Sequence, residues 1–426
     1  MKIRCDYKTL TMIKSPVVGV LSDSQLSPFS WKNNRTFERN LIRSLQTLKN
    51  YGCNMVIFAG DICNIANFYA YYRFKNALKL VFGTKPPLLQ IIMGNHDYFP
   101  AFTSRWKKRF MFESYLGTKP YSHYVVNGYH FIGVSPDCRK QKNGYSEVLE
   151  WLDNELQEAV ADSGKKPVFV TTHNNAENTV YGSHVYGDTQ LYSVLSKYEN
   201  VVNFGGHTHF PMLDERSIHQ RDYTSLNTQS TSYVELEKGK VNGPVPPNPH
   251  ISPMCYVLRF GDDKIDIMRV NAGTGAEEKV NMRWSLPTTL TKDAFVYTDD
   301  RFDVSDAKEE DYPVMPAIYG RSEKIGMRAY LVFEKGEDKD FVHNYRVEFS
   351  DGKVQYYFSD FYKGLDNPNK EVVLPIYEKA AGVYDVEIRA VNSKGLESKT
   401  ATRICDVRVP SYRRYPLVFA PDAKYF

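Results

Sequence analysis

The chain has no Cys-x-x-Cys pair, no block of like charge, no internal repeat and no apolar run long enough to span a bilayer. Each absence closes a class of protein. The six cysteines, Cys5, Cys53, Cys63, Cys138, Cys255 and Cys405, lie scattered, which argues against both a zinc ribbon and a disulfide framework. Reduced thiols are the simpler state. Lysine plus arginine exceeds aspartate plus glutamate by 54 − 50 = 4, and the charges are interspersed, so nothing indicates nucleic acid. Residues 1–16 carry charges but no apolar core of signal-peptide length. The expectation is a soluble, cytoplasmic protein without a membrane span; a signal preceding this numbering would make it secreted or periplasmic.

What is present is length, aromatic residues and a recurring local pattern. The chain of 426 residues exceeds what one hydrophobic core usually serves, so two domains are expected. Its 31 tyrosines and 24 phenylalanines suit a strand-rich fold. The pattern is a short apolar run that ends abruptly in polar side chains. Residues 88–93 read as a strand buried on both faces, and Gly94-Asn95-His96-Asp97 follows at once. Residues 16–22 empty in the same way into Asp23-Ser24-Gln25, and residues 55–59 into Gly60-Asp61-Ile62-Cys63-Asn64. Further on, residues 166–172 end at His173, and residues 201–204 end at Gly205-Gly206-His207-Thr208-His209.

Between these runs the apolar spacing predicts helices over 35–51, 66–82, 102–115, 147–160 and 191–198, and a hairpin over 121–134 turning at Asn127-Gly128. Residues 233–236 read as another strand, and 254–270 as a strand pair. Alternating strands and helices argue for crossover units whose post-strand loops converge on one edge. Asp23, Gln25, Asp61, Asn95, His173, His207 and His209 would then meet. Carboxylates, amide oxygens and imidazoles together suit Mn, Fe, Zn or Co rather than a structural zinc, and seven donors are too many for one ion. Two divalent ions bridged by a carboxylate would use them all.

In order and spacing these five motifs resemble the signature of the calcineurin-like metallophosphoesterases, over about two thirds of the chain. The resemblance implies an α/β fold, a two-sheet sandwich with flanking helices. It also implies hydrolysis of a phosphate ester or anhydride by attack of a metal-bound hydroxide. One metal would take Asp23, Gln25, Asp61 and His209, and the other Asp61 as a bridge with Asn95, His173 and His207. Asn95 and His96 would contact the substrate. His96, paired to Asp97, would be catalytic and assist the leaving group. Gln25 stands where most members carry histidine, and the harder oxygen donor favours manganese over iron or zinc. Asp-x-Gln also resembles manganese-dependent ADP-ribose and CDP-alcohol diphosphatases, which raises nucleotide diphosphates beside phosphorylated small molecules as substrates. The rival reading is a non-catalytic binding protein whose phosphoesterase domain is inert; the otherwise complete ligand set argues against it.

From about residue 289 the texture changes to short alternating strands with turn signals, and helical periodicity disappears. Residues 382–398 resemble the late-strand signature of fibronectin type III domains, with Tyr384 as a candidate corner tyrosine. The expected organisation is a metallophosphoesterase domain over 1–286, an immunoglobulin or fibronectin-like β-sandwich over 287–410 that could bind a partner or glycan, and a tail over 411–426.

Overall fold

A computed structural model describes residues 3–411, apart from 12–14, 28–33, 101–102, 141, 242, 280–282, 318–319, 327 and 366–369. Of the expected tail only Ser411 is within the described residues, and Phe102, at the start of an expected helix, lies outside them. The chain divides into two compact units. The first holds the chain up to Glu235, His250–Glu278 and a segment ending at Arg301; the second holds Leu236–Pro249 and the chain from Phe302 on. Among the described residues no helix is long and apolar enough to cross a membrane.

Two seven-stranded sheets form the layers of the first unit. One runs β1 (Cys5–Leu10), β5 (Tyr121–Val126), β6 (Tyr129–Val134), β7 (Val168–Thr172), β8 (Val201–Gly205), β10 (Thr224–Asn227) and β9 (Ile218–Gln220). The other runs β13 (Ala276–Glu277), β12 (Lys264–Asn271), β11 (Met254–Phe260), β2 (Val17–Leu21), β3 (Met55–Phe58) and β4 (Leu88–Ile91), with β14 (Trp284–Pro287) also on β12. Between the sheets Phe131, Phe169 and Phe204 stack in a row across β6, β7 and β8, at 4.9 and 6.0 Å, and Phe260 of β11 meets Phe169 edge-on at 5.6 Å. Burying each such ring contributes about 1.5–3 kcal/mol, so this row does much to hold the sheets face to face.

Helices cover the outer faces. Helix α1 (Asn34–Asn50) turns the fully buried Leu41, Leu45 and Leu48 inward, with α2 (Phe68–Phe82) and α3 (Arg105–Leu116) beside it over the second sheet. Its approach is close: a Cβ at Gly19 of β2 would lie 2.6 Å from a Leu48 methyl. Helix α4 (Leu149–Ser163) packs Leu152, Leu156 and Ala159 on the first sheet, and α5 (Ser183–Tyr186) and α6 (Tyr192–Leu195) are single turns. The helix expected over 191–198 is thus shorter than its apolar spacing suggests.

The expected strand at 233–236 does not form. Its backbone bonds elsewhere: the Tyr233 carbonyl lies 3.1 Å from His209 Nδ1, and the Glu235 N–H donates to the His209 carbonyl at 3.1 Å. Alternating side chains there reflect an extended segment pinned to a loop and not a ladder. The hairpin does form, with Asn127 and Gly128 both at positive φ (50° and 74°), as a two-residue turn matched to strand twist requires.

In the second unit all the sheet pairings are antiparallel. A three-stranded sheet runs β15 (Arg321–Ile325), β16 (Arg328–Glu334), β19 (Glu371–Pro375); a four-stranded one runs β18 (Val354–Phe358), β17 (Val342–Phe349), β20 (Gly382–Asn392), β21 (Thr402–Val409). Their shared core includes Leu331, Phe333, Tyr345, Val347, Ile388 and Val407. The chain is therefore an α/β sandwich followed by all-antiparallel β sheets.

Candidate metal centre

Strands β2, β3 and β4 run parallel, in a register that pairs Leu21 with Phe58 and Phe58 with Ile91. The residues that follow each strand therefore leave the sheet at one edge. Asp23, Asp61 and Asn95 are delivered this way. From the facing sheet, parallel β7 and β8 deliver His173 and the Gly206-His207 turn to the same place. Backbone bonds join the loops: Asp23 N–H donates to Gly60 O (3.0 Å), Gln25 N–H to Asp61 O (3.1 Å) and Gly206 N–H to His173 O (2.8 Å).

Asp23, Gln25, Asp61, His207 and His209 all sit in the left-handed backbone region, with φ of 53°, 48°, 52°, 66° and 59°. Each such non-glycine residue costs about 1–3 kcal/mol, a strain that persists only where the surroundings over-determine it. The loops bend the wrong way for free peptides so that these side chains converge.

Donor atoms of Asp61, His173 and His207 lie within 4.8 Å of one another, all buried. Asp61 Oδ2 is 3.3 Å from His173 Nε2 and accepts from Gln25 Nε2 at 2.8 Å, while Oδ1 accepts the His96 backbone N–H at 2.8 Å. Asn95 Oδ1 is 3.0 Å from His173 Nε2. On the other side, Asp23 Oδ1 is 3.3 Å from His209 Nε2, and Asp23 Oδ2 accepts the His207 N–H at 3.1 Å. All seven side chains expected from the sequence are thus brought into one buried cluster.

The tautomers are set by backbone carbonyls. His173 Nδ1 meets Ala59 O at 2.9 Å and His209 Nδ1 meets Tyr233 O at 3.1 Å, so each ring spends its Nδ1–H outward and aims Nε2 at the carboxylates. Burial disfavours the charge on Asp61, yet the imidazoles of His173 and His96 outweigh it and hold the carboxyl below its usual range. Burial and the neighbouring His173 push His207 down to about 3, leaving it neutral.

Whether this pocket suits metal ions is decided by its buried lone pairs. His207 Nε2 is buried without a hydrogen-bond partner, and Asp23 Oδ1 has only the His209 ring, 3.3 Å away, outside hydrogen-bond geometry. A buried lone pair left unmade is costly. A neutral imidazole, an ionised carboxylate and the Asn95 amide oxygen together make a set of mixed nitrogen and oxygen donors, and divalent cations fit it.

One expected pairing is not present. Asp97 does not meet the His96 ring. Its oxygens accept the backbone N–H groups of Gly94 (2.9 Å), Cys63 (3.1 Å) and Ile62 (3.2 Å) and the Tyr71 hydroxyl (3.2 Å), while His96 Nδ1 lies 3.0 Å from the Asn64 carbonyl. Asp97 thus ties the Asp61 loop to the Asn95 loop, and a backbone carbonyl orients His96. Cys63 is fully buried, and burial followed by Asp97 pushes its thiol well above the ordinary range, so it serves packing. His219 is buried on β9 with Nε2 3.2 Å from Asp299. His184 is exposed on α5. Sequence reasoning missed Tyr145, whose hydroxyl accepts the N–H groups of His173 (2.8 Å) and Asn174 (3.2 Å). It also missed the carbonyls of Ala59, Asn64 and Tyr233, which carry no side-chain signal.

Residues 16–211 match the family model of the calcineurin-like phosphoesterases. They form a calcineurin-like metallophosphoesterase domain. Solved structures similar to the chain include a dimetal phosphatase from Danio rerio (12% identity, TM-score 0.44, covering 65% of this chain and 99% of that one). A predicted phosphoesterase from Streptococcus pneumoniae (12%, 0.30, 64% and 98%) and Vacuolar Protein Sorting 29 from Cryptosporidium parvum (13%, 0.30, 62% and 95%) are also similar. No curated protein matches the chain. No family is assigned to the C-terminal sheets.

Proposed function

We propose that the chain is a dinuclear metal-dependent phosphoesterase that hydrolyses a phosphate ester or anhydride. Asp23, Gln25, Asp61 and His209 would surround one divalent cation, and Asp61, Asn95, His173 and His207 the other. The observation that carries this reading is the buried, unpartnered His207 Nε2 within the Asp61–His173–His207 cluster, with Asp23 Oδ1 close by and approached only by the His209 ring at 3.3 Å. When bound, two such cations polarise the phosphoryl oxygens and make water a usable nucleophile near neutral pH. The chain's own residues do the rest. Asp61 lies between the two groups of donors. With its Nδ1–H held by Asn64 O, His96 keeps Nε2 for a phosphoryl oxygen or the departing group. Gln25 brings an amide where a further imidazole would be softer, which favours manganese.

The test is a panel of phosphomonoesters, phosphodiesters and nucleotide diphosphates, assayed on the full chain with Mn, Zn, Fe and Mg. Turnover that needs added metal, highest with Mn, is expected. Failure on every substrate with every metal would leave the inert-domain reading standing. Nucleotide diphosphates belong in the panel because of the Asp-x-Gln motif.

We also infer that the second unit is fibronectin type III-like. Its strand orders, three and four strands split as β15-β16-β19 and β18-β17-β20-β21, support this. So does the Tyr384 hydroxyl, which donates back to Ala380 O at 3.1 Å near the start of β20, in the manner of a corner tyrosine.

A further inference from the structure

Helices α2 and α3 meet each other through fully buried rings, Tyr71 and Phe112, edge-on at 6.0 Å. Their outer faces carry rings in the opposite situation. Phe68, Tyr69 and Tyr72 of α2 and Trp106 and Phe110 of α3 are exposed, Trp106 by 70%, Phe68 by 60% and Phe110 by 58%. Tyr69 stacks on Tyr72 at 6.5 Å and Trp106 on Phe110 at 5.5 Å, while Phe68 stacks on Tyr115 at 6.3 Å and so joins the two helices. Among the other described residues only Tyr7 and Tyr356 are exposed aromatics. Single apolar side chains on a surface need no explanation, but rings gathered on one face mark a place where something docks.

The charges on the same face choose between occupants. Helix α2 has no acidic residue and α3 has only Glu113. Several of their cations are already engaged: Arg73 pairs with Glu38 and Arg105 with Glu147, and Arg109 donates to the hydroxyls of Tyr98 and Tyr121 at 3.1 and 2.8 Å. Lys108 is buried, with Nζ donating to the carbonyls of Ala66 and Phe99 at 3.2 and 2.8 Å. Lys75, Lys79 and Lys107 are left on the exposed side. A second copy of this chain would bring those lysines against their own kind, which disfavours a self-complementary contact. An acidic protein surface would balance the lysines, but it would also have to bring apolar hollows matched to the ring pairs. A layer of anionic headgroups meets both demands without such a match, because rings settle at the boundary of headgroup and acyl chain while lysines reach the phosphates around them.

We propose that the outer face of α2 and α3, its exposed rings together with Lys75, Lys79 and Lys107, seats this protein on an anionic bilayer as a peripheral contact. The face begins beside the metal centre. The Ala66 N–H, just before α2, donates to Phe99 O at 2.9 Å, and the Phe99 ring lies 5.2 Å from that of His96. Docking through α2 and α3 therefore holds the centre close to the headgroup layer.

Co-flotation of the full chain with vesicles tests this, comparing phosphatidylcholine alone with an equal mixture of phosphatidylcholine and phosphatidylserine. Flotation with the anionic vesicles, weakened by added salt and absent with the neutral ones, is expected. Lys75→Gln, Lys79→Gln and Lys107→Gln should each weaken the partition by about fivefold. Trp106→Ser combined with Phe110→Ser should weaken it by about tenfold or more, since both rings leave the interface. The lysine variants lie at exposed positions and keep the test open should the serine variant fold poorly. The readout needs no turnover, so it stands or falls apart from the phosphoesterase reading. No flotation with anionic vesicles, equal flotation with neutral ones, or undiminished flotation of the lysine variants would overturn the proposal. So would a concentration-dependent dimer in sedimentation that the paired serine substitutions abolish, which would make the face a contact between copies.

Discussion

His96 shows how one residue's role follows from where its protons go. Its Nδ1 is held by Asn64 O and its backbone N–H by Asp61, so the ring lies beside the donor cluster without joining it. His96→Asn should therefore keep its metal while losing about 10²–10⁴ in turnover, the range of positioned acid catalysis. Alkyl leaving groups should suffer more than nitrophenyl ones; loss of a metal equivalent, or equal losses on both esters, would contradict the assignment. Asp97→Asn should behave differently. That carboxylate accepts three backbone N–H groups and a phenol, and an amide presents one oxygen fewer, so the expected effect is a stability loss of about 1–3 kcal/mol. A thermal melt without added metal reads it. Away from the centre, Glu155 sits with His123 Nδ1 at 2.6 Å and accepts the Tyr7 hydroxyl. Burial would raise its pKa, but those bonds win and hold it below the ordinary 4.5. A depressed carboxyl stabilises the fold above its unfolded pKa, and that contribution is lost as pH falls through the folded value. The stability gap between the native chain and Glu155→Gln, followed by urea unfolding, should thus be full at pH 7 and shrink below 4.5.

Elements bring these residues together by close approach at two glycines. A Cβ at Gly94 would lie 2.1 Å from Asp61 Oδ1, and one at Gly206 would lie 2.4 Å from Asp23 Oδ2. Gly94→Ala should therefore displace Asp61, lower metal content, and cost about 1–3 kcal/mol by overpacking; elemental analysis and a melt check both, and a variant with full metal content would show that the loop can yield. The strand ends were legible in the sequence for a physical reason. A strand buried on both faces reads as an unbroken apolar run, and the polar residues that follow it have to be where the sheet stops. Five such transitions located the cluster. What the sequence could not show was which backbone groups the polar residues would serve. Asp97 next to His96 reads as a dyad, but its partners come from residues 62 and 63 and from Tyr71 on α2. Residues 233–236 alternate like a strand, yet their backbone is spent on His209. In both cases nonlocal hydrogen bonds overrode a local pattern.

At the scale of the whole molecule, where the chain can be cut depends on what the segment after β14 does. A change of texture near residue 287 suggests a cut there, but the following residues pack into the first unit. Leu290 is fully buried and its N–H donates to Lys165 O at 2.8 Å; Tyr297 is 3% exposed, and its hydroxyl donates to Ser285 O at 3.1 Å. Gln220 on edge strand β9 accepts the N–H groups of Val296 and Tyr297, both at 2.9 Å. Arg301 reaches Glu215 Oε2 at 3.2 Å and the Ile218 carbonyl at 2.8 Å. Glu215 in turn holds Arg269 and the Trp284 indole, at 2.9 and 2.8 Å. The segment therefore closes the β9 edge, which would otherwise expose unpaired backbone groups. Removing Leu290 and Tyr297 forfeits about 1.5–3 kcal/mol each in apolar burial, before the loss of the hydrogen bonds. We expect a chain ending at Arg301 to stay soluble and keep its metal. One ending at Leu286 should melt several degrees lower, with edge strand β9 losing hydrogen-exchange protection first. Residues 236–249 belong to the second unit, where Val241 N–H donates to Tyr356 O at 2.8 Å, so in either truncation that loop loses its partners equally. The comparison thus isolates residues 287–301. Equal melting temperatures for the two truncated chains would mean that the segment only lies on the first unit without supporting it.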